Sequence, residues 1–122
     1  MSKVPVVFYS DDDGKAPFLD WFSRLPEKVQ DKCLVRIEWL KELGHELKRP
    51  EADNRRNDVY ELRIKHRSVN YRVLYFFQGR QVVVLSHGFT KQRASVPEKE
   101  ISIAVERMKK FKASPVRHTY KE

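Results

Sequence analysis

Cysteine is nearly absent from this chain: Cys33 stands alone, so no disulfide can form within it. No apolar run is long enough to cross a bilayer, and Met1-Ser2-Lys3-Val4-Pro5 lacks the apolar core of a secretory signal. These absences predict a soluble, cytoplasmic protein with no membrane partner. Phosphate-binding glycine loops, dinucleotide fingerprints and nucleophile elbows are missing too. The four histidines, His45, His66, His87 and His118, are scattered and form no zinc spacing with the one cysteine. Asp11-Asp12-Asp13 lacks the rest of a calcium-loop pattern and reads as a solvated turn ending at Gly14. No metal or cofactor is therefore expected.

The most telling absence is one of sign. No acidic residue occurs between Glu61 and Glu98, a stretch that carries Arg63, Lys65, Arg67, Arg72, Arg80, Lys91 and Arg93. Residues 1–58 have a net charge of −1 and residues 59–122 of +9, so the excess of +8 lies in the second half. A one-sided field of this kind suits a phosphate backbone, RNA before DNA. A solubilising face, or a surface for an acidic protein, would share the composition.

What remains is enough for one domain: 122 residues, 40% of them hydrophobic. Residues 4–9 read as an opening strand, and a short helix with Pro17 in its first turn follows. A second helix runs from about Pro26 to Leu43. Its stripe of Val29, Cys33, Ile37, Leu40 and Leu43 recurs at helical spacing, and Gly44 is a fitting end. Cys33 on that stripe reads as a core residue. Residues 45–58 are polar and read as a loop. Three strands are expected at about 59–66, 70–77 and 81–90. A final helix is expected from a capping box at Ser95 and Glu98, with Ile101, Ala104, Val105, Met108 and Phe111 inward. Trp21 and Trp39 are expected to pack on their helices. The predicted architecture is α+β: a strand and two helices, a three-stranded antiparallel meander within a sheet of about four strands, and a C-terminal helix. One domain is expected over 1–112, with 113–122 a basic, flexible tail.

Strand alternation places the charges. With Ser68-Val69 and Gln78-Gly79 as two-residue hairpin loops, Lys65 faces Arg72, and Arg72 faces Leu85. Leu62, Ile64, Val73, Tyr75 and Phe77 then share an apolar face. Arg63, Lys65, Arg72, Val83, Leu85, His87, Phe89 and Lys91 share the other. Cations around a histidine can hold a phosphodiester and stabilise charge growing on it. Cleavage by the 2′-hydroxyl needs no metal, only a base, an acid and cations. Arg63 and Arg72 suit phosphate gripping, a lysine crowded by cations can act as base, and His87 is either catalytic or a backbone-bonded strand residue. Arg55, Arg56, Arg67 and Arg93 extend the expected RNA-binding surface.

Tyr60-Glu61-Leu62-Arg63, Tyr71-Arg72-Val73-Leu74-Tyr75-Phe76 and His87-Gly88-Phe89-Thr90-Lys91 together resemble the RelE/HigB superfamily of toxins, in its phage-related HigB-like branch. Val7-Phe8-Tyr9, Asp13-Gly14-Lys15, Leu25-Pro26 and Leu43-Gly44 extend the resemblance over nearly the whole chain. It implies a RelE/ParE-like fold and the toxin of a type II toxin–antitoxin pair. Such a toxin would be a metal-independent mRNA endoribonuclease acting at the ribosome, silenced by a cognate antitoxin with a helix-turn-helix. Arg63, Lys65 and Arg72 match basic residues of the RelE active-site sheet, and Lys91 approximates the basic residue after the last long strand. Arg63 stands where RelE has a lysine, and a residue near Ile101 where RelE has a tyrosine. Two other readings remain open at this stage: a ParE-like toxin of DNA gyrase without nuclease activity, and a weakened toxin that acts mainly through its antitoxin.

Overall fold

The computed structural model describes residues 4–79, 81–91 and 96–121. The chain opens with β1 (Val6–Phe8) and turns at Asp11–Gly14, where Gly14 takes a positive φ. It then forms α1 (Pro17–Phe22) and α2 (Glu27–Leu43). Proline sets the start of both helices: Pro17 is the first residue of α1, and Pro26 is the N-cap of α2. Gly44 ends α2 with a φ of 53°, and its missing side chain makes room for Val4.

A 3-10 turn at Gly44–Glu46 leads into β2 (Ala52–Arg56), β3 (Val59–His66), β4 (Val69–Gln78) and β5 (Val82–Lys91). The sheet has five strands in the order β1-β5-β4-β3-β2. β1 lies parallel to β5 and the other pairs are antiparallel. The α+β class is as expected. The sheet is larger than expected because part of the 45–58 loop is β2. That strand is hard to read, since Ala52 is the only apolar residue in Ala-Asp-Asn-Arg-Arg. Asn57 and Asp58, both at positive φ, turn it into β3.

The hairpin registers differ from those read off the turns. The β3–β4 turn is Arg67-Ser68, with Arg67 at a φ of 58°, so Lys65 pairs with Asn70 and Arg63 with Arg72. This moves the pairing by two positions and leaves every side chain on its expected face. The β4–β5 connection spans 79–81 rather than two residues, so Tyr75 pairs with Leu85 and Phe77 with Val83. Val83 and Leu85 therefore join the apolar face with Tyr75 and Phe77, against expectation. A bulge at Ser86 then restores the alternation. Beyond it Leu74 pairs with His87, Arg72 with Phe89 and Asn70 with Lys91.

α1 and α2 cover one face of the sheet. Phe18, Val29, Cys33, Ile37 and Leu40 pack against Leu62, Ile64, Tyr71, Val73 and Tyr75. Burial pushes the Cys33 thiol pKa up to about 12, in keeping with a core residue. Leu43 and Trp39, expected inside, are about 40% exposed, because both lie on the far flank of α2. α3 (Glu98–Ala113) covers part of the opposite face through Ala104, Met108 and Phe111, over Val59, Leu74, Phe76 and Val84. Its N-cap is Pro97, without a side-chain cap, rather than Ser95, which lies outside the described residues.

The segment after α3, expected to be a loose tail, is instead docked on β1. Tyr120 N donates to Phe8 O and Thr119 bridges to Tyr9. The His118 ring stacks on Tyr9 while its Nδ1 bonds Ser10 O at 2.8 Å. No helix among the described residues is long and apolar enough to cross a membrane.

Candidate active site

α3 leaves one end of its face of the sheet open, among the described residues. Two rows of paired residues lie there, Lys65–Asn70–Lys91 and Arg63–Arg72–Phe89, and the next row, Glu61–Leu74–His87, is buried, with Leu74 and His87 against α3. Asp53 pairs with Glu61 at the β2 edge.

Glu61 is the centre of the site. It is fully buried, yet its Oε2 accepts from Arg72 Nε at 2.9 Å and from Arg63 Nε at 3.1 Å. Arg55 Nη1 approaches its Oε1 at 3.4 Å, an ion pair outside hydrogen-bond geometry. Asp53 ties the outer side: its Oδ2 accepts from Arg49 at 2.8 Å and from Arg63 Nη2 at 3.3 Å, and lies 3.5 Å from Arg55 Nη1. The Arg49 hydrogen bond, with the Arg49 and Arg63 charges, holds the Asp53 carboxyl below its ordinary range despite partial desolvation. Arg72 is nearly buried and also donates from Nη1 to Tyr71 O. Burial pulls its guanidinium pKa down and Glu61 opposes that pull.

A buried carboxylate surrounded by guanidinium groups fixes their planes before any ligand arrives. Lys91 lies in the same field. Its pKa is lowered by desolvation, then by Arg72, Arg63 and Arg55, while Glu61 opposes. Such a lysine gives up its proton more readily than one on open surface. Four guanidinium groups, Arg49, Arg55, Arg63 and Arg72, thus contact the two carboxylates, with Lys91 in the same field and the partly exposed Phe89 beside Arg72. The arrangement can take an anion with distributed charge, and it offers one titratable donor.

Of the residues read from sequence, the structure brings Arg63, Arg72 and Lys91 together, and adds Arg55, expected only at the periphery. Lys65 is exposed one row further along the same face. His87 shares that face in register, but its side chain lies beneath α3. Its Nε2 bonds Glu100 Oε1 at 3.0 Å and its Nδ1 bonds Ser86 Oγ at 2.8 Å. Desolvation, then Arg107, lowers its pKa, and Glu100 opposes. Arg56 reaches away to Glu98 at the start of α3. Arg67 is exposed in the β3–β4 turn, and Arg93 lies outside the described residues. Glu61 and Asp53 received no role from the sequence. The available signal for Glu61 was an acid two residues before Arg63, on the same strand face as Arg72.

A family model described as Phage derived protein Gp49-like (DUF891) matches residues 20–109, from α1 into α3. Two relatives, each named Probable endoribonuclease HigB1, come from Mycobacterium tuberculosis strains CDC 1551 / Oshkosh and ATCC 25618 / H37Rv. Each is 29% identical to this chain over 105 residues, which is 86% of this chain and 82% of the relative.

Proposed function

The chain belongs to the phage-derived Gp49-like family, and from that premise we propose that it is the toxin of a type II toxin–antitoxin pair. In this reading it is an endoribonuclease that cuts mRNA at the ribosome without a metal and so stops translation. A cognate antitoxin, a helix-turn-helix protein, silences it. The observation that carries the reading is the cluster of Arg55, Arg63 and Arg72 held around buried Glu61, beside the open part of the sheet, with Lys91 in the same electrostatic field. The name of the HigB1 relatives supports the endoribonuclease part of this reading.

The proposed reaction is attack of the ribose 2′-oxygen on the adjacent phosphorus. The O2′–P bond forms and the P–O5′ bond breaks, leaving a 2′,3′-cyclic phosphate and a 5′-hydroxyl. Arg63 and Arg55, the more exposed guanidinium groups of the cluster, grip the phosphate. Arg72 supplies positive field from below, where water is excluded and a charge acts more strongly. Lys91 is the proton-transfer group of choice, since His87 is engaged by Glu100. Lys65 and Arg67 continue the RNA track along the strand, and Phe89 offers a ring against a base.

Purified protein incubated with mRNA, on translating ribosomes and alone, tests this reading. Cleavage with 2′,3′-cyclic or 3′-phosphate ends is expected, lost in Arg72→Ala with the fold retained. Cleavage that requires magnesium at the scissile phosphate would count against it. Inhibition of gyrase supercoiling without RNA cleavage would favour the ParE-like alternative.

A further inference from the structure

Exposed large apolar side chains are concentrated on α2. Leu34, Val35, Trp39 and Leu43 all stay 40–50% exposed. Val35, Trp39 and Leu43 recur every four residues and form one ridge along the helix. Between that ridge and β3 lies a groove of about 360 Å³, lined by Asp31, Lys32, Val35, Trp39, Ile64 and Lys65, with Arg36. The groove exists because β2 is short: its pairing with β3 ends at Leu62, followed only by the Arg63 N bond to Glu51 O. Beyond that point β3 is an edge among the described residues.

Two features of this edge choose the occupant. Its outward carbonyls are already taken, since Arg36 Nε donates to Arg63 O at 3.1 Å and Lys32 Nζ to Lys65 O at 3.2 Å. An added strand would have to break those bonds, whereas a helix laid in the groove needs only side-chain contacts. The border is also cationic. Lys28, Lys32 and Arg67 crowd His66, whose pKa is pulled down by partial desolvation and then by these three charges. Arg36 lies over the Trp39 ring at 4.7 Å, and Asp31 is the one acid lining the groove. We propose that the α2–β3 groove docks an acidic amphipathic helix of a protein partner, its apolar side on Val35 and Trp39 and its carboxylates on Lys32 and Arg36. RNA is the poorer fit: Trp39 is the one aromatic ring lining the groove and Arg36 already lies over it, while its exposed neighbours Leu34, Val35 and Leu43 are aliphatic and give a base nothing to stack on. The groove lies on the α2 side of the sheet and the arginine cluster on the α3 side. The proposal therefore stands or falls apart from the nuclease reading.

Fluorescence anisotropy with a labelled synthetic helix of leucine and glutamate, patterned to give one apolar face, tests it. A second helix carries lysine for each glutamate, and a single-stranded RNA oligonucleotide is the third probe. The expected result is binding of the acidic helix alone. It should weaken about tenfold or more in the double variant Val35→Ser/Trp39→Ser, as for loss of an interface tryptophan, and also in Lys32→Glu. Both substitutions are at surface positions, and circular dichroism checks the fold. The proposal is overturned if the acidic helix does not bind, if the lysine helix binds equally, or if the variants bind like the wild type. It is also overturned if the oligonucleotide alone is lost with Trp39, or if the wild type self-associates in sedimentation and the double variant does not.

Discussion

Replacing Glu61 by glutamine removes one negative charge and almost no volume from the most crowded ionic site in the molecule. The wild-type carboxylate is fully buried and accepts from Arg72 at 2.9 Å and Arg63 at 3.1 Å, with Arg55 at 3.4 Å. At an effective dielectric near 20, a unit pair ~4 Å apart is worth about 4 kcal/mol, offset by desolvation of both partners. Removing one partner of a buried pair costs about 3–5 kcal/mol; here the charge left without its carboxylate is buried Arg72, since Arg63 and Arg55 keep Asp53. For a domain of this size that corresponds to a fall in Tm of roughly 10–20 °C. Thermal unfolding followed by circular dichroism measures it. A second consequence separates charge from shape. With the carboxylate gone the cluster is more cationic, so sulfate should bind it more tightly and raise the variant's Tm more than the wild type's. A Tm within about 3 °C of wild type would mean that Glu61 does not hold the arginines as described, given the size of the buried-pair term. Equal sulfate responses would mean that the cluster is not an anion site.

Lys91→Met should lower kcat/KM for RNA cleavage by about 10²-fold or more, the usual range for a proton-transfer group. Lys91 has a folded pKa below its ordinary 10.5 and Glu61 opposes that depression, so Glu61→Gln should move the Lys91 limb of the pH–rate profile further to acid. Gly88→Ala places a Cβ 2.2 Å from the Trp21 ring, which cannot yield like a flexible chain, and should destabilise by about 1–3 kcal/mol in chemical denaturation; Trp21→Leu should recover part of that loss. The lowered pKa of His87 means that the unfolded chain takes the proton first as pH drops below about 6.5. Stability should therefore fall from pH 6.5 downward, and His87→Gln should flatten that fall in Tm measured across pH.

The two helical stripes were legible in the sequence because Val29, Cys33, Ile37 and Leu40, and later Ile101, Ala104, Met108 and Phe111, keep helical spacing and are all buried. The three long strands were legible for the parallel reason of strand composition. β2 was not, because Ala52 is its only core residue and the rest of this edge strand is ionic or polar rather than apolar. The common face of Arg63, Lys65 and Arg72 survived a wrong turn, since moving the loop to Arg67-Ser68 shifts the pairing by an even number. The face of His87 and Lys91 rests on two departures that cancel: a three-residue connection at 79–81 and the bulge at Ser86. Neither leaves a clear mark in the local sequence, and Val83 and Leu85, between them, show the face without the cancellation. His87 lies apart from the cluster because α3 supplies Glu100, a contact 13 residues away in sequence that strand alternation cannot see. Glu61 was in view as a strand residue, but its strand neighbour Asp53 and its ion-pair partner Arg55 both come from β2, an element that composition concealed.

The most direct test of the proposed reaction uses an mRNA substrate with a single 2′-deoxy residue at a mapped cleavage site, compared with its all-ribose parent. The parent should be cut to a 2′,3′-cyclic phosphate end, the deoxy substrate should stay intact at that position, and Arg72→Ala should cut neither. Cleavage of the deoxy substrate at the same position, or undiminished cleavage by folded Arg72→Ala, would contradict the account.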